Sequence, residues 1–479
     1  MNRSVLIITP YFAPQSHAAV FRAYKLAKLL PRFGWKPYVL TVDRNYLYNE
    51  DRSLLDALPD EVEITTARHV EPTVRGLRMA LGGRDRSFAA LKARGPQAGE
   101  SADPARPVAA GWMSGLYRHI RDSWINVPDP YWSWRGPAVR AGRALIHAHR
   151  IPIVYSTCMP FTAHEIGRTL RREGCRWVAD FRDPATYAAR MCSAVDRVYM
   201  IQRRIERDAL READAVTVLS SAYAMIFRDL HGELDRRPIH FIPTGLDEDL
   251  LDVEGPQPRT SGPFIVFAGE FLPEYGGMFL EAFAAALERA EVRQSGIKLL
   301  VVGQIGLNRS RLAPWLDRLG LSPHVEFRDH MPQAELYRLL RAARAGVLAP
   351  GREAHWWNNF AKMVDYIALR KPVLAVVPDP SEARTCLTRA GLGLFLDGDA
   401  RANGDHLSRF LLGNLAGVRP DEDECDRYLA TEQVRAFAGL FESLLSPSEE
   451  NGPGPREARR DERAISMVEA TARVPVEVR

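Results

Sequence analysis

The sequence predicts an α/β protein of two tandem Rossmann-like, doubly wound parallel-sheet domains facing a central cleft. Three observations carry that expectation. Uninterrupted apolar runs of strand length recur along the chain, beginning with Val5-Leu6-Ile7-Ile8-Thr9, and suit strands buried on both faces. Segments with apolar residues at helical spacing alternate with them, the order expected of βαβ units. A stretch rich in Pro and Gly, Asp252 to Gly262, splits the alternation into two runs joined near residue 255.

The elements follow in order. After the first strand comes a loop, Pro10 to Ser16. Ala19, Ala23, Leu26, Ala27, Leu30 and Phe33 then share a helical face that Gly34 closes. Tyr38 to Val42 is a second buried strand, which makes a βαβ unit with a right-handed crossover. Further strands are expected at Val62 to Thr66, Ile153 to Thr157, Trp177 to Phe181, Ala215 to Ser220 and Ile239 to Pro243. Helical patterns at Phe161 to Arg172 and Val195 to Glu212 lie among them. The second run has strands at Phe264 to Ala268, Lys298 to Gly303, Val325 to Phe327, Gly346 to Leu348, Pro372 to Val377 and Leu392 to Leu396. The expected domains are therefore residues 1–250 and 262–446. Residues 82–111 mix Gly, Pro, Ala and charge without periodicity and predict a mobile insertion; 447–479 predict a disordered tail.

Composition narrows the function. With 479 residues, 46% apolar and 26% charged, the chain has ample material for globular cores, which excludes a disordered, collagenous or disulfide-dense protein. Its 64 basic and 60 acidic residues leave a charge of +4, and the Lys and Arg are scattered. No nucleic-acid partner is expected from such a distribution, whereas anionic ligands such as nucleotide diphosphates suit it. Five cysteines at no metal-ligand spacing predict reduced thiols, no structural metal and a cytoplasmic protein. The first apolar run is too short for a signal peptide, and no run is long enough for a membrane span. Neither a Gly-x-Gly-x-x-Gly fingerprint, a Gly-Lys-Ser/Thr phosphate loop nor a Gly-x-Ser-x-Gly elbow is present.

Several ordered motifs resemble one family. They are Thr9-Pro10-Tyr11-Phe12-Ala13-Pro14 before a helix carrying Arg22, then Val178-Ala179-Asp180-Phe181-Arg182-Asp183-Pro184, and Ile242-Pro243-Thr244-Gly245-Leu246-Asp247. In the second half come Phe267-Ala268-Gly269, Val301-Val302-Gly303, and Lys362-Met363-Val364-Asp365-Tyr366 before Lys371-Pro372-Val373. Across residues 4–43 and 151–400 the chain is similar to GT-B glycosyltransferases of the retaining family four, and most similar to bacterial members acting in cell-surface polysaccharide assembly. The resemblance implies metal-independent transfer, without a cofactor, from a nucleotide-diphosphate sugar, a UDP sugar favoured. The acceptor would be a glycan or lipid-linked molecule. Donor would bind the second domain and acceptor the first. Retention in the family is attributed to front-face attack assisted by the leaving phosphate, so no protein nucleophile is assigned.

The resemblance and the residues together nominate a site. Asp365 matches the glutamate that typically holds the ribose hydroxyls, and Trp357 stands where a second glutamate is usual. Glu353 or His355 is the candidate to reach in from the preceding loop, which spacing alone does not show. Lys362, near a helix start, is disfavoured by the dipole unless an anion is present, and is expected to bind the diphosphate. Gly269 and Gly303 end strands on the donor side. Glu270 and Tyr275 occupy the places where the family's Arg and Lys usually neutralise the diphosphate. Asn358 and Asn359 are expected to cap the Lys362 helix.

In the first domain, Asp180, Arg182 and Asp183 end a buried strand, where such sheets present chemistry. Arg182 and Asp183 are nominated, with Lys362, for the chemical step. Asp180, His17 and Arg22 are nominated for the acceptor, Arg22 with pairing to surface acids as the equal alternative. Trp132 and Trp134 belong either to an acceptor pocket, stacking on sugar, or to the core. The apolar stripe from Trp112 to Ile125, interleaved with Arg118, His119 and Arg121, has two readings. It rests peripherally on the acidic inner face of the membrane, or it packs on its own domain, which is favoured. The rival to an enzyme is a non-catalytic GT-B homologue serving as partner or scaffold of another transferase.

Overall fold

A computed structural model of the protein describes residues 2–43, 51–72, 124–192, 196–232, 238–256, 258–352 and 356–446. The insertion expected at 82–111, the tail at 447–479, most of the 112–125 stripe, Glu353 and His355 lie outside the described residues. The described strands form two all-parallel sheets, and the chain divides into two compact units.

The first unit holds β1 (Ser4–Ile8), β2 (Lys36–Val42), β3 (Glu63–Ala67), β4 (Ile153–Cys158), β5 (Arg176–Phe181), β6 (Ala215–Val218) and β7 (Ile239–Phe241). Their order is β3-β2-β1-β4-β5-β6-β7. Every residue of β1 and β4 is buried, as an apolar run with no polar alternation requires of a strand covered on both faces. The first helix, Phe21–Leu29, tightens into a 3-10 turn at Leu30–Phe33, where Pro31 can donate no hydrogen bond, and ends at Gly34.

The second unit holds β8 (Phe264–Ala268), β9 (Lys298–Val302), β10 (Val325–Arg328), β11 (Gly346–Leu348), β12 (Val373–Ala375) and β13 (Gly393–Phe395), ordered β10-β9-β8-β11-β12-β13. Alternate residues of β8 serve opposite faces. Ile265 and Phe267 join Phe279, Phe283 and Leu407 in one core layer, whereas Phe264 and Val266 join Tyr337, Met363 and Ile367 in the other. In each sheet the strand order reverses beside the first strand, between β1 and β4 and between β8 and β11. Open α/β sheets bind ligands outside the carboxyl ends of the strands at that reversal.

The observed division differs from the expected one at 250 and 262, the main stretch of the second unit already beginning at Pro243. From Val434 onward, the closing helix Ala430–Leu445 is grouped with the first unit. Phe437 meets Tyr155 at 5.4 Å, Phe441 meets Trp35 at 5.3 Å, and Glu442 pairs with Arg3 at 3.0 Å. Burying two phenylalanines contributes about 1.5–3 kcal/mol each, enough to bind a chain end to the distant start. No helix among the described residues is long and apolar enough to cross a membrane. Cys158, Cys175, Cys386 and Cys425 are buried free thiols.

Candidate functional site

In the first unit, the carboxyl ends of β1, β3, β4 and β5 and the loop before the helix Arg135–His149 bring together rings and charges distant in sequence. Tyr11 stands edge-on to His17 at 5.1 Å and to Tyr131 at 5.5 Å, and Tyr131 stacks on His69 at 4.9 Å. The Arg182 guanidinium lies 5.5 Å over the Tyr11 ring. His69 is fixed from both sides. Its amide donates to Asp43 Oδ1 at 2.8 Å, and its Nδ1 lies 3.0 Å from Ser133 Oγ. Asp129 accepts from the amides of Tyr131 and Thr162 and from the Thr162 hydroxyl, which anchors the Tyr131 loop to the helix Phe161–Leu170.

Burial sets the charge states. It holds His69 down at about 4, and His17, also pressed by Arg182, below its ordinary value, so both imidazoles are neutral at pH 7. Burial pushes the Asp129 carboxyl up to about 6, against its hydrogen bonds to Thr162 and Tyr131. The Tyr11 and Tyr131 phenols are raised by burial and stay protonated.

The nominated residues separate into roles that their spacing did not reveal. Arg22 and Asp180 meet each other in the interior. Arg22 Nε donates to both carboxylate oxygens, at 3.2 and 3.0 Å, and Nη2 donates to Oδ1 at 2.7 Å. Thr157 and Thr217 also donate to Asp180, at 2.8 and 2.6 Å, and Phe437 lies under the guanidinium at 5.2 Å. Burial disfavours both charges, yet each holds the other ionised, with Asp180 below the usual carboxylate range. This corrects the acceptor-binding expectation for both residues. With 2% and 0% of their side chains exposed, they tie the first helix to the centre of the sheet instead.

Arg182 is likewise committed inward. It donates to the carbonyls of Ala19 at 2.7 Å, Cys158 at 3.3 Å and Met159, and so holds together the loops after β1 and β4. Asp183, the next residue, is exposed, and burial of its surroundings raises its carboxyl against the pull of Arg182. Of the three charges ending β5, it is the one that faces solvent. Trp134 is core, whereas Trp132 is 46% exposed beside Tyr131. Trp124, from the far end of the apolar stripe, is 64% exposed with Arg197 4.2 Å over its ring.

In the second unit the carboxyl ends of β8 and β9 are built mainly from backbone. Gly269 and Gly303 follow the two strands with φ of +120° and +155°. A Cβ on Gly303 would stand 2.5 Å from the Gly269 carbonyl oxygen, so no side chain fits between the two turns. Asn308, fully buried one turn into the helix Ile305–Leu319, clamps them: Nδ2 donates to the Gly269 carbonyl at 3.0 Å, and Oδ1 accepts from the Phe271 amide at 2.9 Å. Spacing gave no sign of Asn308, because a buried Asn in a helix looks like any exposed one in sequence.

Lys362 comes to this edge from the helix Ala361–Ala368. Its Nζ lies 3.7 Å over the Phe267 ring and 3.4 Å from where a Gly269 Cβ would stand, and it pairs with no carboxylate among the described residues. Burial without a counter-charge lowers it to about 8. Asp365, three residues on, accepts a hydrogen bond from the Tyr337 phenol, which itself accepts from Gln333 at 2.5 Å. The two therefore engage different neighbours. The cap of this helix is Phe360, with no side-chain hydrogen bond, which corrects the capping expected of Asn358 and Asn359. Glu270 pairs with Arg311, so a guanidinium from the β9 helix stands beside the place where the sequence lacks a basic residue.

No family model matches the chain, and no curated protein matches it in sequence. Solved structures do match it. Sucrose-phosphate synthase from Thermosynechococcus elongatus is 14% identical with a TM-score of 0.57, over 93% of this chain and 100% of that one. Anabaena HepE in complex with UDP and glucose is 13% identical with a TM-score of 0.53, over 92% and 100%. A trehalose-6-phosphate structure from E. coli bound with UDP-2-fluoro glucose gives 13% and 0.53, over 93% and 100%. Likeness at these identities concerns the fold. The chain has the two-sheet, Rossmann-like GT-B fold found in nucleotide-sugar glycosyltransferases, and the matches span both of its units.

Proposed function

We propose that this protein is a metal-independent glycosyltransferase that moves a sugar from a nucleotide-diphosphate donor, a UDP sugar favoured, to a glycan or lipid-linked acceptor with retention, in polysaccharide or glycoconjugate biosynthesis. The observation that carries the reading is the Lys362 ammonium, held at the carboxyl end of the second sheet without a carboxylate partner among the described residues. A half-buried cation beside two glycine turns and a helix start is costly alone and favourable once a diphosphate arrives. Asp365 is assigned to the donor ribose and Asp183 to a hydroxyl of the acceptor. Arg182 acts by positioning the loops that carry His17 and Met159. Exposed Trp124 under Arg197 supports peripheral contact with an acidic membrane face.

The scaffold reading draws on Glu270, whose negative charge stands at the donor edge, but Arg311 already answers it. The test is transfer from UDP-glucose and related donors by Asp365→Asn combined with Lys362→Ala. Loss of turnover in a folded double variant supports the donor assignment; turnover equal to the parent protein's removes it.

A further inference from the structure

The ring cluster of the first unit has a chemistry of its own. Trp132 is 46% exposed, and Met159, 43% exposed, adds apolar surface at the end of β4. Tyr131, adjoining Trp132, is stiffened by its stack on His69 and by the edge of Tyr11. Rigid rings of this kind complement the C–H faces of a pyranose, with polar groups left for its hydroxyls.

The charges acting on these rings favour one class of sugar. Arg182 is the cation beside Tyr11, and its donors are occupied by the Ala19, Cys158 and Met159 carbonyls. Among the described residues carboxylates outnumber it: Asp129 and Glu71 act on Tyr131, and Asp183 flanks Arg182 in the open. The imidazoles add hydrogen-bonding capacity and no charge at neutral pH. An anionic group here would meet net negative charge and a guanidinium with little left to donate.

We infer that this edge of the first unit binds an uncharged sugar residue, laid against Trp132 and Tyr131 and hydrogen-bonded through Asp183 and the neighbouring imidazole and phenol groups, and that it discriminates against phosphorylated and uronic sugars. The inference deepens the transferase reading, on which its role as acceptor site rests, by naming the class of the acceptor's terminal sugar.

The experiment is titration calorimetry of the full chain with maltotriose, mannotriose and chitotriose against glucose 6-phosphate, mannose 6-phosphate and glucuronic acid. At least one neutral sugar binds, and the anionic sugars bind about tenfold or more weakly. Trp132→Ala weakens the neutral sugar about tenfold, one stacked ring's worth of affinity, while Trp132→Phe keeps most of it. The exposed position lets both variants fold. The inference is overturned if an anionic sugar binds as tightly as the best neutral one, if no neutral sugar binds, or if Trp132→Ala changes nothing. Its failure separates from that of the transferase reading through a parallel UDP titration. UDP binding with a preference for anionic sugars sinks this inference alone, and neutral-sugar binding without any nucleoside diphosphate sinks the other.

Discussion

The two sheets share strand order and direction but build their carboxyl edges by opposite means. At the first edge, side chains do the work: Tyr11, Tyr131, His69 and Arg182 hold one another in place. At the second, backbone turns at Gly269 and Gly303 leave room, and a single ammonium from Lys362 enters it. Crowded, mutually satisfied side chains suit recognition of a varied, uncharged surface. Bare backbone with a cation that no carboxylate among the described residues pairs suits a compact polyanion that brings its own charge. The same topology thus supports two different kinds of ligand, because function resides in the site and not in the sheet.

The comparison is broken most severely at its buried centre. Asp180→Ala strands the Arg22 guanidinium in the interior and is expected to cost about 3–5 kcal/mol, visible as a large fall in the urea midpoint or loss of soluble protein. A midpoint within experimental error of the parent's would show that the pair is not structural. Phe437→Ala tests the return of the closing helix and is expected to cost a similar 3–5 kcal/mol.

Next in size is the donor edge. Lys362→Ala is expected to weaken UDP by about 1.5–3 kcal/mol with the fold retained, since one charged hydrogen-bonding group is lost. The same residue gives a pH signature. Its folded value, about 8, lies below the ordinary lysine value of 10.5, so the unfolded state binds more protons between the two. In the absence of ligand, its contribution to stability therefore rises as pH increases from about 8 to 10.5. Diphosphate affinity moves the other way and weakens as pH passes 8, whereas Lys362→Arg flattens the dependence. An affinity independent of pH from 7 to 9 in the parent protein contradicts the assignment. The smallest effect is expected at the surface. Flotation with acidic liposomes at low salt should recover the protein, and Trp124→Ala should reduce recovery severalfold; no flotation ends the membrane proposal.

Much of the fold was legible because doubly buried strands leave an unmistakable pattern: Val5 to Ile8 and Phe264 to Phe267 are apolar at every position. The Lys362 helix was legible for a different reason, a cation at a helix start that physics disfavours without an anion. Partnership was not legible. Asp180 looked available at a strand end and Arg22 on the first helix, and nothing local indicates that residues 158 apart neutralise each other. The ring cluster was hidden in the same way, since Tyr11, His69 and Tyr131 meet only after two strand ends and the loop before a helix converge. The closing helix was assigned by its place in the chain, whereas Phe437 and Phe441 follow apolar partners in the first unit.

The most direct test of the central claim is thermal unfolding with UDP, GDP, ADP, TDP and CMP, without metal, on the parent protein and Lys362→Ala. A ligand at 100 times its dissociation constant adds about 2.7 kcal/mol to the folded state, a shift easily seen. A selective rise with one diphosphate, UDP favoured, that Lys362→Ala largely abolishes is the expected result. No shift with any of the five, or a shift that Lys362→Ala leaves intact, contradicts it.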